Sequence, residues 1–154
     1  MSESVWDYPR PPRVERDDRL VEVVFDDKLV AATTNALRVL ETSHPPVYYL
    51  PQEDIAADAL RPVGGSTFCE FKGVASYYDV VGERQVARRA AWHYPDPTAG
   101  FERLLGHVAF YPGRMGECRV GGEVVRAQAG DFYGGWITSE ITGPFKGVPG
   151  SAGW

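Results

Sequence analysis

Between Thr67 and Tyr94 the chain carries residue types from which a small binding site can be built. Read with period two as one strand, residues 67–81 put Cys69, Phe71, Gly73, Ala75 and Tyr77 on one face. Glu70, Lys72, Ser76 and Tyr78 share the other face with Phe68 and Val74. A returning strand, Gln85–Tyr94, follows the turn Gly82-Glu83 and puts Arg88, Trp92 and Tyr94 on one side. If that side adjoins Glu70, Lys72 and Tyr78, the result is an aromatic floor beneath paired charges, as small-molecule sites often have. Lys72 can hold an anion as a point charge, or act as nucleophile or base once desolvated. The same residues also fit a solvated strand face with a Glu70/Lys72 pair, and Trp92 and Tyr94 packed under other chain.

A second cluster, Glu41, His44 and Tyr49, surrounds Glu41-Thr42-Ser43-His44-Pro45-Pro46. A glutamate ending an apolar run can be a buried general base, or it can fix a loop by accepting backbone N–H bonds. Metal chemistry has little support. Cys69, Cys118, His44, His93 and His107 lack the Cys-x-x-Cys and His-x-x-x-His spacings of metal sites. No structural metal and no cofactor is expected, and both cysteines are expected to be unpaired. Cys69, on the apolar face, reads as a small core residue rather than a nucleophile. Gly64-Gly65-Ser66 invites a test for nucleotidyl transfer, which needs two carboxylates flanking one apolar residue. Asp79 stands at a suitable distance, but the second position is Val81. Two-metal chemistry needs that second carboxylate, and these glycines lead into a strand rather than a helix that could hold phosphate.

Short strands must position these residues. Residues 1–19 read as a polar, proline-containing arm. Leu20–Phe25 and Leu29–Thr33 read as a hairpin turning at Asp26-Asp27-Lys28. Ala36–Glu41 is taken as a strand because His44-Pro45-Pro46 would cut a helix short. Val47–Leu50 is a strand ended by Pro51, and Pro51–Ile55 suits one helical turn. Thr98–Gly106 predicts the one helix, with Thr98 as its cap and Gly106 as its stop. His107–Tyr111 is a further strand, and Glu117–Val120 pairs with Glu123–Ala127 across Gly121-Gly122. From Gly130 the sequence lacks a period, which predicts a coil strapped over the sheet by Phe132, Tyr133, Trp136, Phe145 and Trp154. The expected fold is mainly β: a single domain, 1–154, with a largely antiparallel, folded-over or partly closed sheet, one short helix and an aromatic tail.

Composition excludes several classes of function. The net charge is −5 and no Lys/Arg block exceeds two residues, so no nucleic-acid footprint is present. With thirteen arginines against three lysines, lysine is the rare cation of this chain, and each one stands out. No apolar run approaches the roughly 18 residues that cross a bilayer, and the N-terminus has no signal-peptide core. A cytoplasmic protein with reduced thiols and no membrane partner is expected. Oligomeric state is not legible.

Five ordered segments share one resemblance. Leu40-Glu41, Val47-Tyr48-Tyr49-Leu50-Pro51, Thr67-x-Cys69-x-x-Lys72-Gly73-x-Ala75-x-Tyr77, Ala91-Trp92-x-Tyr94 and Gly106-x-x-Ala109-Phe110-Tyr111 together resemble the bacterial domain of unknown function 427 family. The resemblance covers about residues 19–112, and 113–154 look like the extension of longer members. It implies a compact β-rich fold and carries Glu41, Tyr49, Lys72, Trp92 and Tyr94 over as motif positions. A nucleotidyltransferase-like name is attached to the family in places, which Val81 leaves unsupported here. Two functions remain open: binding or modifying a small polar or anionic metabolite around Lys72, or serving as a non-catalytic protein-interaction module. For the first, Glu70, Tyr78, Glu41, Tyr49, Trp92 and Tyr94 join Lys72 as candidates, and none is assigned a catalytic role.

Overall fold

The computed structural model describes residues 2–69, 71–130 and 133–154. Its strands are β1 (Glu3–Ser4), β2 (Arg13–Asp17), β3 (Val21–Phe25), β4 (Lys28–Thr33), β5 (Ala36–Leu40), β6 (Val47–Pro51), β7 (Leu60–Cys69) and β8 (Gly73–Val81). They continue with β9 (Val86–His93), β10 (His107–Phe110), β11 (Glu117–Val120), β12 (Glu123–Val124), β13 (Arg126–Ala127), β14 (Trp136–Ile137) and β15 (Ile141–Thr142). Seven strands form one antiparallel sheet in the order β2-β5-β6-β10-β9-β8-β7. Four more, β12-β11-β3-β4, form a second antiparallel sheet. The fold is mainly β, and neither sheet closes into a barrel.

Alternation explains the layering. In β3 the buried residues are Val21, Val23 and Phe25, and in β11 they are Cys118 and Val120. These meet one face of the larger sheet, where Ala36, Tyr48, Leu50, Val80, Val108 and Phe110 complete the main core. The central strands of the larger sheet are buried on both faces. Odd-numbered Leu37, Val39, Tyr49 and Ala109 point away from that core and join Ala75, Tyr77, Trp92 and Tyr94 in a second cluster. The cross-strand partners line up in one row, Leu37–Tyr49–Ala109–Trp92–Tyr77–Val63, over six neighbouring strands. Ala109, the smallest side chain of that row, lies between Tyr49 and Trp92.

Three expectations need correction. Residues 67–81 are not one strand: Cys69 pairs directly with Gly73, so the chain reverses between them. Gly73 permits this with φ +109, and a Cβ there would press on the Asp96 carbonyl at 3.3 Å. The 98–106 helix is reduced to a single 3₁₀ turn at Glu102–Leu104. Thr98 is spent elsewhere: its N–H donates to the Lys72 carbonyl at 3.0 Å and its hydroxyl to the Phe71 carbonyl. The N-terminal arm is also structured. β2 pairs with β5, and Val5 and Tyr8 are buried with Leu40, Ile137 and Ile141 of the tail. No helix among the described residues is long and apolar enough to cross a membrane.

The tail from residue 133 packs chiefly as coil, with β14 and β15 two residues long each. Its anchor is Trp136, 0% exposed. The Trp136 ring lies 5.0 Å from that of Tyr48, and its indole N–H donates to the Phe110 carbonyl at 3.1 Å.

Candidate functional site

The face of the larger sheet that carries Tyr49, Trp92 and Tyr77 holds a cavity of about 240 Å³. Its floor is Tyr49 from β6, Ala75 and Tyr77 from β8, and Trp92 from β9, with Tyr94 just beyond β9. One wall is the loop after β5, with Glu41, His44 and Pro45. A second is the β7–β8 reversal, with Thr67, Phe68, Cys69 and Lys72. The tail supplies the third through Gln128, Tyr133 and Gly134. Gln128 pins that wall: its Oε1 accepts the Gly135 N–H at 3.0 Å and its Nε2 donates to the Lys146 carbonyl at 2.6 Å.

Lys72 is the cationic member of this lining. The residue is 9% exposed, and its Nζ stands 6.0 Å from the centroid of the Tyr94 ring. Among the described residues no carboxylate lies within ion-pair distance of it. The 96–98 segment clamps the backbone at residues 71 and 72, which fixes where the lysine stem starts. Glu41 faces other partners: its Oε2 is 3.5 Å from Arg10 Nε and 3.6 Å from His44 Nε2. Burial depresses the His44 imidazole below its ordinary value, and Lys146, Arg10 and Lys72 add to this against the pull of Glu41. Burial also pushes the phenols of Tyr49, Tyr94 and Tyr111 upward, so all three stay neutral hydroxyls at ordinary pH. The aromatic rings meet edge-on or tilted rather than in parallel stacks. Tyr49 meets Trp92 at 6.2 Å and 82°, and Trp92 meets Tyr111 at 4.5 Å and 44°.

Of the residues singled out from sequence, Lys72, Glu41, Tyr49, Trp92 and Tyr94 therefore surround one cavity. Tyr78 does not join them. It lies on the opposite face of β8, stacked 4.7 Å from His93 and accepting from Gln52 Nε2 at 3.1 Å. The reversal between Cys69 and Gly73 is the cause, because it breaks the alternation that would link Lys72 to Tyr78. Glu70 lies outside the described residues, as does Phe132. Sequence reasoning misses Thr67, Tyr77 and Gln128. Thr67 and Tyr77 join hydroxyls at 2.8 Å; Gln128 gives no local signal, since its role depends on the tail folding back.

The nucleotidyl-transfer pattern dissolves in three dimensions. Asp79 accepts from Arg61 at 2.9 Å and from the Arg89 N–H at 2.9 Å. It is not part of the cavity lining. Among the described residues no three His, Cys, Asp or Glu side chains gather as metal ligands. Cys69, partly exposed, and Cys118, buried, are separate free thiols.

An open antiparallel β fold carrying a lysine-bearing aromatic cavity on one sheet face is the class these features define. The chain belongs to the family described as Domain of unknown function (DUF427), whose model matches residues 13–121. That match reaches further at both ends than the 19–112 core read from the motifs, taking in β2 and β11. No curated protein matches the chain.

Proposed function

We propose that this chain binds a small anionic molecule in the cavity around Lys72. The observation that carries the reading is a lysine, 9% exposed as a whole, lining an aromatic cavity with no counter-charge among the described residues. An unpaired buried charge costs folding free energy, and a bound anion removes that cost. The cavity volume sits just below the range of about 300–1,000 Å³ that takes drug-sized ligands, so the ligand is small. Glu41, His44 and the neutral phenols supply polar contacts at its edge. Binding, rather than a named reaction, is what the geometry supports.

The test follows the Trp92 indole N–H resonance while a panel of small carboxylates, phosphates and neutral aromatics is added. At least one anion should shift it, and Lys72→Met should abolish the shift while leaving the unliganded melting temperature unchanged or raised. A panel that moves nothing at Trp92 would defeat the reading.

A protein-interaction role has one observation of its own. Phe68, 72% exposed, pairs across the strands with Val74, 48% exposed, at the mouth of the cavity. That pair is small, and Phe68 also lines the cavity, so it serves the binding reading equally well.

A further inference from the structure

Resting on that reading, we infer that the ligand is a monocarboxylate with a flat apolar body, about the size of phenylacetate, and not a phosphate, nucleotide or amino acid. Three features of the lining lead there.

Charge is the first. Lys72 contributes one positive charge, and His44 is held neutral by burial at pH 7. Glu41 is already opposed by Arg10. One ammonium with no counter-charge among the described residues matches one negative charge. A zwitterionic amino acid would need a free carboxylate for its ammonium group, and Glu41 is engaged.

Donor geometry is the second. Phosphate is held by arginine forks, by several converging N–H groups or by a helix N-terminus. Among the described residues no arginine lines the cavity, and the turn that follows its Tyr111, Pro112–Arg114, is a single 3₁₀ turn opened by a proline with no N–H to donate. A lysine point charge beside the hydroxyls of Tyr94 and of the bonded pair Thr67–Tyr77 suits the two oxygens of a carboxylate.

The third is the remainder of the surface. Trp92, Tyr49 and Tyr111 line the cavity with aromatic surface, which suits a planar apolar group. A space of about 240 Å³ equals the liquid volume of about eight waters at about 30 Å³ each. That is room for one ring and a carboxylate.

The experiment is calorimetric titration of the full chain with phenylacetate, phenylacetamide, phenylalanine and inorganic phosphate, with the Trp92 indole resonance followed in parallel. Phenylacetate should bind at least about tenfold more tightly than phenylacetamide, the difference a charge-assisted hydrogen bond makes. It should also outrank phenylalanine and phosphate. In Lys72→Met the preference for the acid over the amide should vanish while weak amide binding persists. If phosphate, phenylalanine or the amide binds at Trp92 as well as phenylacetate or better, the assignment to carboxylates falls and cavity binding stands. If none of the four moves Trp92 while another anion of the wider panel does, the assignment falls and anion binding stands; if no anion moves it, both fall.

Discussion

Gly134 lies against the indole of Trp92: a Cβ at residue 134 would come within 2.2 Å of Trp92 Cη2. This contact is where the tail closes over the cavity floor, and only a hydrogen fits between the backbone and the ring. The neighbouring Gly135 is similarly confined, its would-be Cβ meeting Gln128 Oε1 at 2.5 Å.

Gly134→Ala should therefore push the tail off the indole or turn the ring. Overpacking of this kind costs about 1–3 kcal/mol. Thermal unfolding reads the loss, and Trp92 fluorescence should shift with it. An unchanged melting curve and spectrum would mean that the tail does not rest on Trp92.

The tail is expected to be part of the folding unit. Trp136 fills the main core beside Tyr48, and Ile137 and Ile141 cover Val5 and Tyr8. Trp136→Ala should cost about 3–5 kcal/mol, as other large core truncations do. Ending the chain after Ala129 should abolish cooperative unfolding or leave the protein insoluble. A truncated chain that melts within a degree or two of the intact one, about the effect of a few tenths of a kcal/mol, would make the tail an accessory arm.

His44 gives the cavity a pH dependence with a fixed sign. Its folded value is depressed, first by burial and then by Lys146, Arg10 and Lys72, with Glu41 opposing. The folded state thus binds fewer protons than the unfolded chain just below the ordinary value of about 6.5. The stability this supplies is complete above that pH and is lost as pH falls through the folded value. Wild-type melting temperature should fall over this window more steeply than that of His44→Gln. Protonated His44 also adds positive charge beside Lys72, so phenylacetate should bind more tightly across the same window. A His44 proton resonance titrating at or above about 6.5 would contradict both.

The two cysteines should separate cleanly under native conditions. Cys118 is 2% exposed, and burial pushes its thiol up to about 12, so it should resist a thiol reagent until the protein unfolds. Cys69 lines the cavity and is partly exposed, so it should react first. Bound phenylacetate should slow that reaction. Equal rates at both thiols would show that the sheets open on the labelling timescale.

Much of the strand inventory is legible in the sequence because alternation is a local property. Val21-x-Val23-x-Phe25 and Cys118-x-Val120 each bury every second side chain, and the structure places strands there. The prolines after His44 are enough to favour strand over helix at Ala36–Leu40. The five motif segments also mark Lys72, Glu41, Tyr49, Trp92 and Tyr94, residues that share one cavity.

What tertiary structure alone decided is which strand faces which, and so which face is the site. The reversal between Cys69 and Gly73 is invisible in the sequence because Glu70-Phe71-Lys72 continues the polar–apolar alternation of its flanks. Facing survives the reversal, since Thr67 and Cys69 line the cavity together with Ala75 and Tyr77, but Lys72 in the turn is carried to that same side, which is why alternation groups it with Tyr78 and not with Tyr77. The capping threonine at 98 goes to the Phe71 and Lys72 carbonyls for a similar reason: a long-range partner outcompetes a marginal helix of a few residues. The cavity floor joins Tyr49, Tyr77 and Trp92 from β6, β8 and β9. Those residues stand far apart along the chain, and only strand order brings them together.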